Sequence, residues 1–126
     1  MAIPENAIPV IVICTRDRDR STKFYRDALG LVVDHEDNFA IVFKTGGVTL
    51  RIGTVPDFTA HEHTILGFQV EDVEATVKAL RERGVTFNTY PQFKQDELGI
   101  LTLPDGKIRV AWFKDPDGNV LSVTNA

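Results

Sequence analysis

Apolar residues recur along the chain in two arrangements, as short β-branched runs and at helical spacing. The run IPVIVIC (8–14) predicts a strand that is buried on both faces or nearly so. In RSTKFYRDALG (20–30), apolar residues at helical spacing end in a glycine, which predicts a helix. Three further strands are predicted at LVVDHE (31–36), FAIVFKT (39–45) and VTLRIGT (48–54), with hairpin turns at 37–38 and 46–47.

The same order of patterns then begins again. TILGFQV (64–70) predicts a strand, and DVEATVKALRERG (72–84) predicts an amphipathic helix that begins after Asp72 and stops at Gly84. Its buried stripe is Val73, Val77 and Leu80. Three extended stretches follow at VTFNTY (85–90), KIRVAWFK (107–114) and NVLSVT (119–124), with a loop and a short hairpin in 91–106.

This order predicts an α+β fold of two tandem βαβββ modules in a single domain, residues 1–126. The modules cover about 7–54 and about 64–125, and residues 55–63 link them. We expect the modules to curl a mixed sheet around a cleft, with the helices on the outer face. GGVTLRI (46–52) aligns with DGNVLSV (117–123), so Arg51 matches Ser122, and strand alternation turns both towards the cleft.

Composition limits the classes of binding partner and the cellular compartment that we expect for this chain. The chain of 126 residues has a net charge of −4, which argues against nucleic acid or an anionic membrane as a partner. The apolar run 8–14 is too short to span a membrane and does not resemble a signal peptide. A single cysteine, Cys14, excludes an internal disulfide and is expected to be a small buried residue. We therefore expect a cytoplasmic protein.

Three motifs resemble the vicinal oxygen chelate superfamily, which includes glyoxalase I, extradiol dioxygenases, fosfomycin-resistance enzymes and bleomycin-resistance binding proteins. They are RDRDRSTKFYRDALGL (16–31), FQVEDVEATVKALRERGVTF (68–87) and AWFKDPDGNVLSV (111–123). The resemblance implies the two-module fold and a homodimer. It also implies a divalent metal, bound in the family's enzymes by His, Gln or Glu on the first and last strands of each module.

Carried over to this chain, the four metal-binding positions fall on Val10, Arg51, Ile65 and Ser122. Valine and isoleucine have no donor atom, arginine is a cation, and a lone serine hydroxyl is a poor ligand for transition metals. We therefore predict neither a metal site nor another cofactor.

Other residues with candidate chemistry are few. His35, beside Asp34 and Glu36, is either a rim histidine or a general base. His61 and His63 have a spacing that could bind a metal, but they fall in the linker. The turn DPDGN (115–119) has the oxygens of a calcium loop in the wrong positions and is interpreted as structural. The aromatic residues Tyr90, Phe93 and Trp112 could together hold a planar apolar ligand.

The sequence favours a small-molecule-binding protein without the usual catalytic metal site. The alternative is a glyoxalase- or dioxygenase-like lyase, isomerase or oxygenase that uses an unidentified metal site or a general base, so enzymatic activity stays open and no catalytic residue is assigned. Arg51 is the one charge expected to be buried, paired either with a ligand anion or with a carboxylate of the protein. The predicted ligand-binding residues are Val10, Val12, Arg51, Ile65, Gln69, Trp112 and Ser122.

Overall fold

A computed structural model describes residues 2–126, which form two compact units, one ending at Phe58 and the other spanning Thr59–Ala126. The boundary lies within the segment predicted as a linker. Each unit contains a helix and a four-stranded mixed sheet, which confirms the predicted α+β fold of two tandem βαβββ modules. None of the helices in residues 2–126 is long and apolar enough to cross a membrane.

The sheet of the first unit has the strand order β1-β4-β3-β2. Strand β1 runs parallel to β4, and the other neighbours are antiparallel. The two hairpin turns fall where the sequence predicts them, and both Gly46 and Gly47 have positive φ angles. The elements of this unit are β1 (Val10–Thr15), α1 (Arg18–Lys23), a π-helical turn (Phe24–Ala28), β2 (Val32–Glu36), β3 (Ala40–Thr45) and β4 (Val48–Thr54).

The first helix begins earlier than predicted and ends in a wider turn. The side chain of Asp17 accepts a hydrogen bond of 3.2 Å from the backbone N–H of Arg20, so the helix is capped at its start. The N–H of Leu29 donates to the carbonyl of Phe24, five residues earlier, as in a π-helix. Tyr25 in this turn is completely buried, and its ring contacts that of Phe43 at 6.0 Å between centroids.

The two faces of strand β1 differ in burial, which corrects the prediction that it is buried on both. Ile13 is buried, but Val10 and Val12 on the other face are 55% and 65% exposed. β-branched residues fit the extended backbone whether or not they are buried, so the run predicts the strand correctly and its burial wrongly. The buried face of the sheet, by contrast, carries Leu50 and Ile52 of β4, which are completely inaccessible.

The second unit repeats the topology, with strand order β5-β8-β7-β6 and β5 parallel to β8. The helix is the one predicted: Asp72 accepts a hydrogen bond of 3.0 Å from the N–H of Ala75, and Val73, Val77 and Leu80 are buried. Its elements are β5 (Thr64–Gln69), α2 (Val73–Glu82), β6 (Leu101–Thr102), β7 (Arg109–Lys114) and β8 (Val120–Thr124).

The sequence predicts a strand at VTFNTY (85–90), and this prediction is wrong. The segment pairs with β7 through a bridge between Phe87 and Phe113. The side chain of Gln95 forms hydrogen bonds with this segment of the kind that a neighbouring strand would form. Its amide nitrogen donates to the carbonyl of Asn88, and its amide oxygen accepts from the N–H of Tyr90. The third strand of this module is instead the short β6, which forms the predicted hairpin with β7.

The turn before β8 is held by one buried carboxylate. Oδ1 of Asp115 accepts hydrogen bonds from the N–H groups of Asp117 and Asn119, and Oδ2 accepts from the side-chain amide of Asn119. This confirms the structural interpretation of the turn. Asp115 and Asp117 are more deeply buried than Arg51, so the expectation that Arg51 is the one buried charge is wrong.

Candidate functional site

In the first unit, Arg51 lies on the same face of the sheet as the exposed side chains of Val10 and Val12. Register places Val12 of β1 and Val42 of β3 on either side of Arg51. The neighbour of Val42 on β2 is His35, so the four side chains form one row across the sheet. Leu50 and Ile52, which flank Arg51 on β4, point to the opposite, buried face.

Arg51 forms an ion pair within its own unit. Its Nη2 donates to Oδ2 of Asp37 at 2.7 Å. Because β3 lies between β4 and the β2–β3 turn, the Arg51 side chain has to cross β3 to reach Asp37. Of the two partners that the sequence leaves open for Arg51, the structure therefore contains the protein carboxylate.

Asp37 also holds the turn between β2 and β3. Its Oδ1 accepts hydrogen bonds from the N–H groups of Phe39 at 2.8 Å and Ala40 at 2.9 Å. The N–H of Phe39, followed by the guanidinium of Arg51, lowers the pKa of Asp37 from 3.8 to about 2. Asp37 therefore stays ionised at neutral pH and holds Arg51 in a charge-neutral pair. The sequence identifies Asp37 as a turn residue but not as the partner of Arg51.

His35 contacts the carboxylate of the preceding residue. Its Nδ1 lies 2.6 Å from Oδ2 of Asp34. Adjacent residues of a strand normally point to opposite faces, but the register of β2 shifts between Val33 and His35. This bulge turns Asp34 and His35 to the same side, towards the face that carries Arg51.

In the second unit, the matched position Ser122 lies between Gly67 of β5 and Trp112 of β7. Ser122 is 7% exposed, and a Cβ atom at Gly67 would lie 2.9 Å from its Oγ. Glycine therefore leaves room for the serine hydroxyl. The other predicted residues of β5 are Ile65, which is half-buried, and Gln69, which is exposed.

Trp112, Tyr90 and Phe93 form one aromatic cluster in this unit. The Phe93 ring stacks on Trp112 at 5.5 Å and an interplanar angle of 17°, and the Tyr90 ring meets Trp112 edge-on at 5.5 Å. The hydroxyl of Tyr90 accepts a hydrogen bond from the side-chain amide of Asn88. Phe93 is 41% exposed, so the cluster reaches the surface. The hydrogen bonds of Gln95 hold the loop that carries Tyr90, and no sequence pattern indicates that role.

The remaining histidines lie in the segment before β5. The rings of His61 and His63 stack at 5.1 Å between centroids, and both residues are exposed. Within residues 2–126, no three or more His, Cys, Asp or Glu side chains are grouped so that they could hold a metal ion.

A family model described as the glyoxalase/bleomycin resistance protein/dioxygenase superfamily matches residues 7–123. Among curated proteins, the chain is similar to YraH of Bacillus subtilis (strain 168). The two are 27% identical over 129 residues, which cover 90% of this chain and 93% of YraH.

Solved structures with the same fold include lactoylglutathione lyase from Agrobacterium tumefaciens. It has a TM-score of 0.73 at 18% identity, covering 97% of this chain and 95% of that one. A glyoxalase/bleomycin resistance protein/dioxygenase from Alicyclobacillus acidocaldarius has a TM-score of 0.69 at 19% identity, covering 98% of this chain and 93% of that one. At these identities the likeness extends to the fold alone.

Proposed function

Because the chain belongs to the glyoxalase/bleomycin resistance protein/dioxygenase superfamily, we propose that it binds a small molecule without the metal that the family's enzymes use. The observation that carries this proposal is the ion pair between Arg51 and Asp37 at 2.7 Å. Arg51 stands at a position where the family's enzymes have a metal-binding carboxylate. A guanidinium fixed there repels a cation, and the carboxylate beside it, Asp37, already accepts hydrogen bonds from Arg51 and from the turn.

The residues at the other three positions support the same conclusion. Val10 and Ile65 offer no donor atom, and the hydroxyl of Ser122 is neutral and flanked by Gly67 and Trp112. Zinc, iron and manganese sites need several nitrogen, thiolate or carboxylate ligands, which these residue types do not supply. A binding protein does not require such ligands.

We place the ligand against the aromatic cluster of the second unit. Phe93 already stacks on Trp112, so a face of the indole accepts a flat ring, and Phe93 is exposed enough to give way to one. Gly67 keeps the sheet beside Ser122 free of bulk, as is typical where a ligand approaches the backbone closely. The ligand class is therefore a planar, mainly apolar molecule with one polar group for the Ser122 hydroxyl. Val10, Val12 and Arg51 lie in the first unit, and their predicted ligand contacts stay a separate prediction.

The alternative is a family-type enzyme, a lyase, isomerase or oxygenase, that uses a general base in place of the metal. The observation in its favour is the contact between His35 and Asp34. A homodimer in the cytoplasm is proposed for either function, and light scattering of the purified protein measures its oligomeric state.

Trp112 is the one tryptophan of the chain, so its fluorescence reports on the proposed binding surface. We expect 8-anilinonaphthalene-1-sulfonate, an aromatic probe with a flat naphthalene ring and one sulfonate group, to quench it with saturation. Phe93→Ala should lower the dissociation constant about fivefold or more, because the ligand then no longer displaces a stacked aromatic pair worth about 1 kcal/mol. Phe39→Ala, which removes a still more exposed phenylalanine from the other unit, is the control and should change nothing. Equal effects of the two variants, or no saturable quenching, would contradict the proposed surface.

A further inference from the structure

The bulge in β2 gives the first unit a pair of residues that the binding proposal does not use. Nδ1 of His35 contacts the carboxylate of Asp34 at 2.6 Å, and within residues 2–126 the other ring nitrogen, Nε2, has no hydrogen-bond partner. When the carboxylate accepts the Nδ1 proton, Nε2 is left as the basic nitrogen. A histidine held in this way by a carboxylate is the arrangement that general-base catalysis needs.

The guanidinium of Arg51 lies at the same end of this face. It is bound to Asp37 in the turn directly after β2, and His35 of β2 lies in the same row of the sheet as Arg51. Only its Nη2 has a partner among the described residues, so further N–H groups remain able to donate. A base and a hydrogen-bond donor thus lie on the same face of this sheet.

The exposure of the pair decides which proton it can take. The side chains of His35 and Asp34 are 56% and 40% exposed, so Nε2 is in contact with water. Water that reaches Nε2 is therefore the nearest source of a proton for this base. The exposed apolar side chains Val10, Val12 and Val32 share this face and could receive the apolar part of a substrate.

We propose that Asp34, His35 and Arg51 form a metal-independent hydrolytic site for small apolar esters. The oxygen of water bonds to the ester carbonyl carbon while its proton passes to Nε2 of His35. The electron pair of the C=O bond moves to the carbonyl oxygen, which accepts N–H hydrogen bonds from Arg51. As the C=O bond re-forms, the bond to the alcohol oxygen breaks, and that oxygen takes the proton from His35. Asp34 is a positioning residue that orients the imidazole.

Hydrolysis of p-nitrophenyl acetate by the full-length protein tests this site. The reference is the rate with free imidazole at a concentration equal to that of the protein's three histidines. We expect saturable hydrolysis about tenfold or more faster than imidazole. His35→Gln should remove this excess, and His63→Gln, which alters an exposed histidine of the other unit, should keep it. A rate equal to that of imidazole, or equal losses in the two variants, would overturn the proposal.

Two further variants separate chemistry from structure. Asp34→Asn should lower kcat about tenfold at unchanged KM, because the substrate does not touch Asp34. Arg51→Gln should lower kcat through loss of the oxyanion donor. Circular dichroism and the melting temperature check that each variant is folded. If Asp34→Asn retains full kcat, or alters KM and the melting temperature in place of kcat, the assigned roles are wrong.

Discussion

The last strands of the two units, β4 and β8, carry different polar residues at matched positions. Arg51 on β4 is half-buried and crosses β3 to reach the carboxylate of Asp37. Ser122 on β8 is buried between Gly67 and Trp112. A guanidinium leaving water needs a charged partner, whereas a serine hydroxyl carries no charge that has to be balanced. One topology therefore accommodates both, because the first unit supplies a carboxylate in a turn and the second supplies a glycine.

The two turns show the same contrast. Asp37 and Asp115 each accept backbone N–H groups, but Asp37 is partly exposed and shared with Arg51, whereas Asp115 is buried and accepts from Asp117 and Asn119 of its own turn. The loss of a carboxylate should cost most where water cannot replace its hydrogen bonds. The variants that follow test this difference.

The largest effect is expected for Asp115→Ala. This variant leaves buried N–H groups of Asp117 and Asn119 without their acceptor, so we expect a loss of about 3 kcal/mol or more in the free energy of unfolding. Urea denaturation measures it. Asp37→Ala should lose clearly less, because solvent reaches the groups it leaves. Equal losses in the free energy of unfolding would show that the deeper burial of Asp115 does not make its turn costlier to disrupt.

Asp37→Asn should show a smaller effect that depends on pH. The pKa of Asp37 is about 2 in the folded chain, below its ordinary value of 3.8, so the folded state favours the ionised form. The resulting stability is complete above about pH 4 and is lost as the pH falls through about 2. The stability difference between wild type and Asp37→Asn should therefore narrow over this range. Acid titrations of unfolding measure it, and a constant difference would contradict the lowered pKa of Asp37.

The smallest effect is expected at Gly67. A Cβ atom there would approach Oγ of Ser122 to 2.9 Å, so Gly67→Ala should cost about 1 kcal/mol unless the hydroxyl turns away. Ser122→Ala alone should stay near neutral and should remove the cost of Gly67→Ala in the double variant. A double-mutant cycle by urea denaturation measures this coupling. Additive effects would show that Gly67 does not serve the serine hydroxyl.

The sequence predicts local features of this fold well, because their causes are local. Asp72 caps α2, and the residues 115–119 form a structural turn, as their chemistry indicates. The strand predicted at 85–90 is not formed, and the side chain of Gln95, outside that segment, instead bonds the carbonyl of Asn88 and the N–H of Tyr90. The exposed face of β1 is missed because a β-branched run does not encode its own burial.

The candidate site is harder to predict, because its contacts join residues distant in sequence. The sequence identifies Arg51 as a charge in need of a partner, but Asp37 becomes that partner only through the pairing of β3 with β4. The orientation of His35 depends on a register shift in β2 that the pattern of 31–36 does not indicate. The residue types at Val10, Arg51, Ile65 and Ser122, by contrast, can be read directly and already argue against metal binding.

The metal content of the full-length protein, purified without chelator and measured by inductively coupled plasma mass spectrometry, tests the central claim most directly. We predict no transition metal at the stoichiometry of the chain, including after incubation with excess zinc, nickel, iron or manganese and gel filtration. One retained equivalent of any of these metals would contradict it.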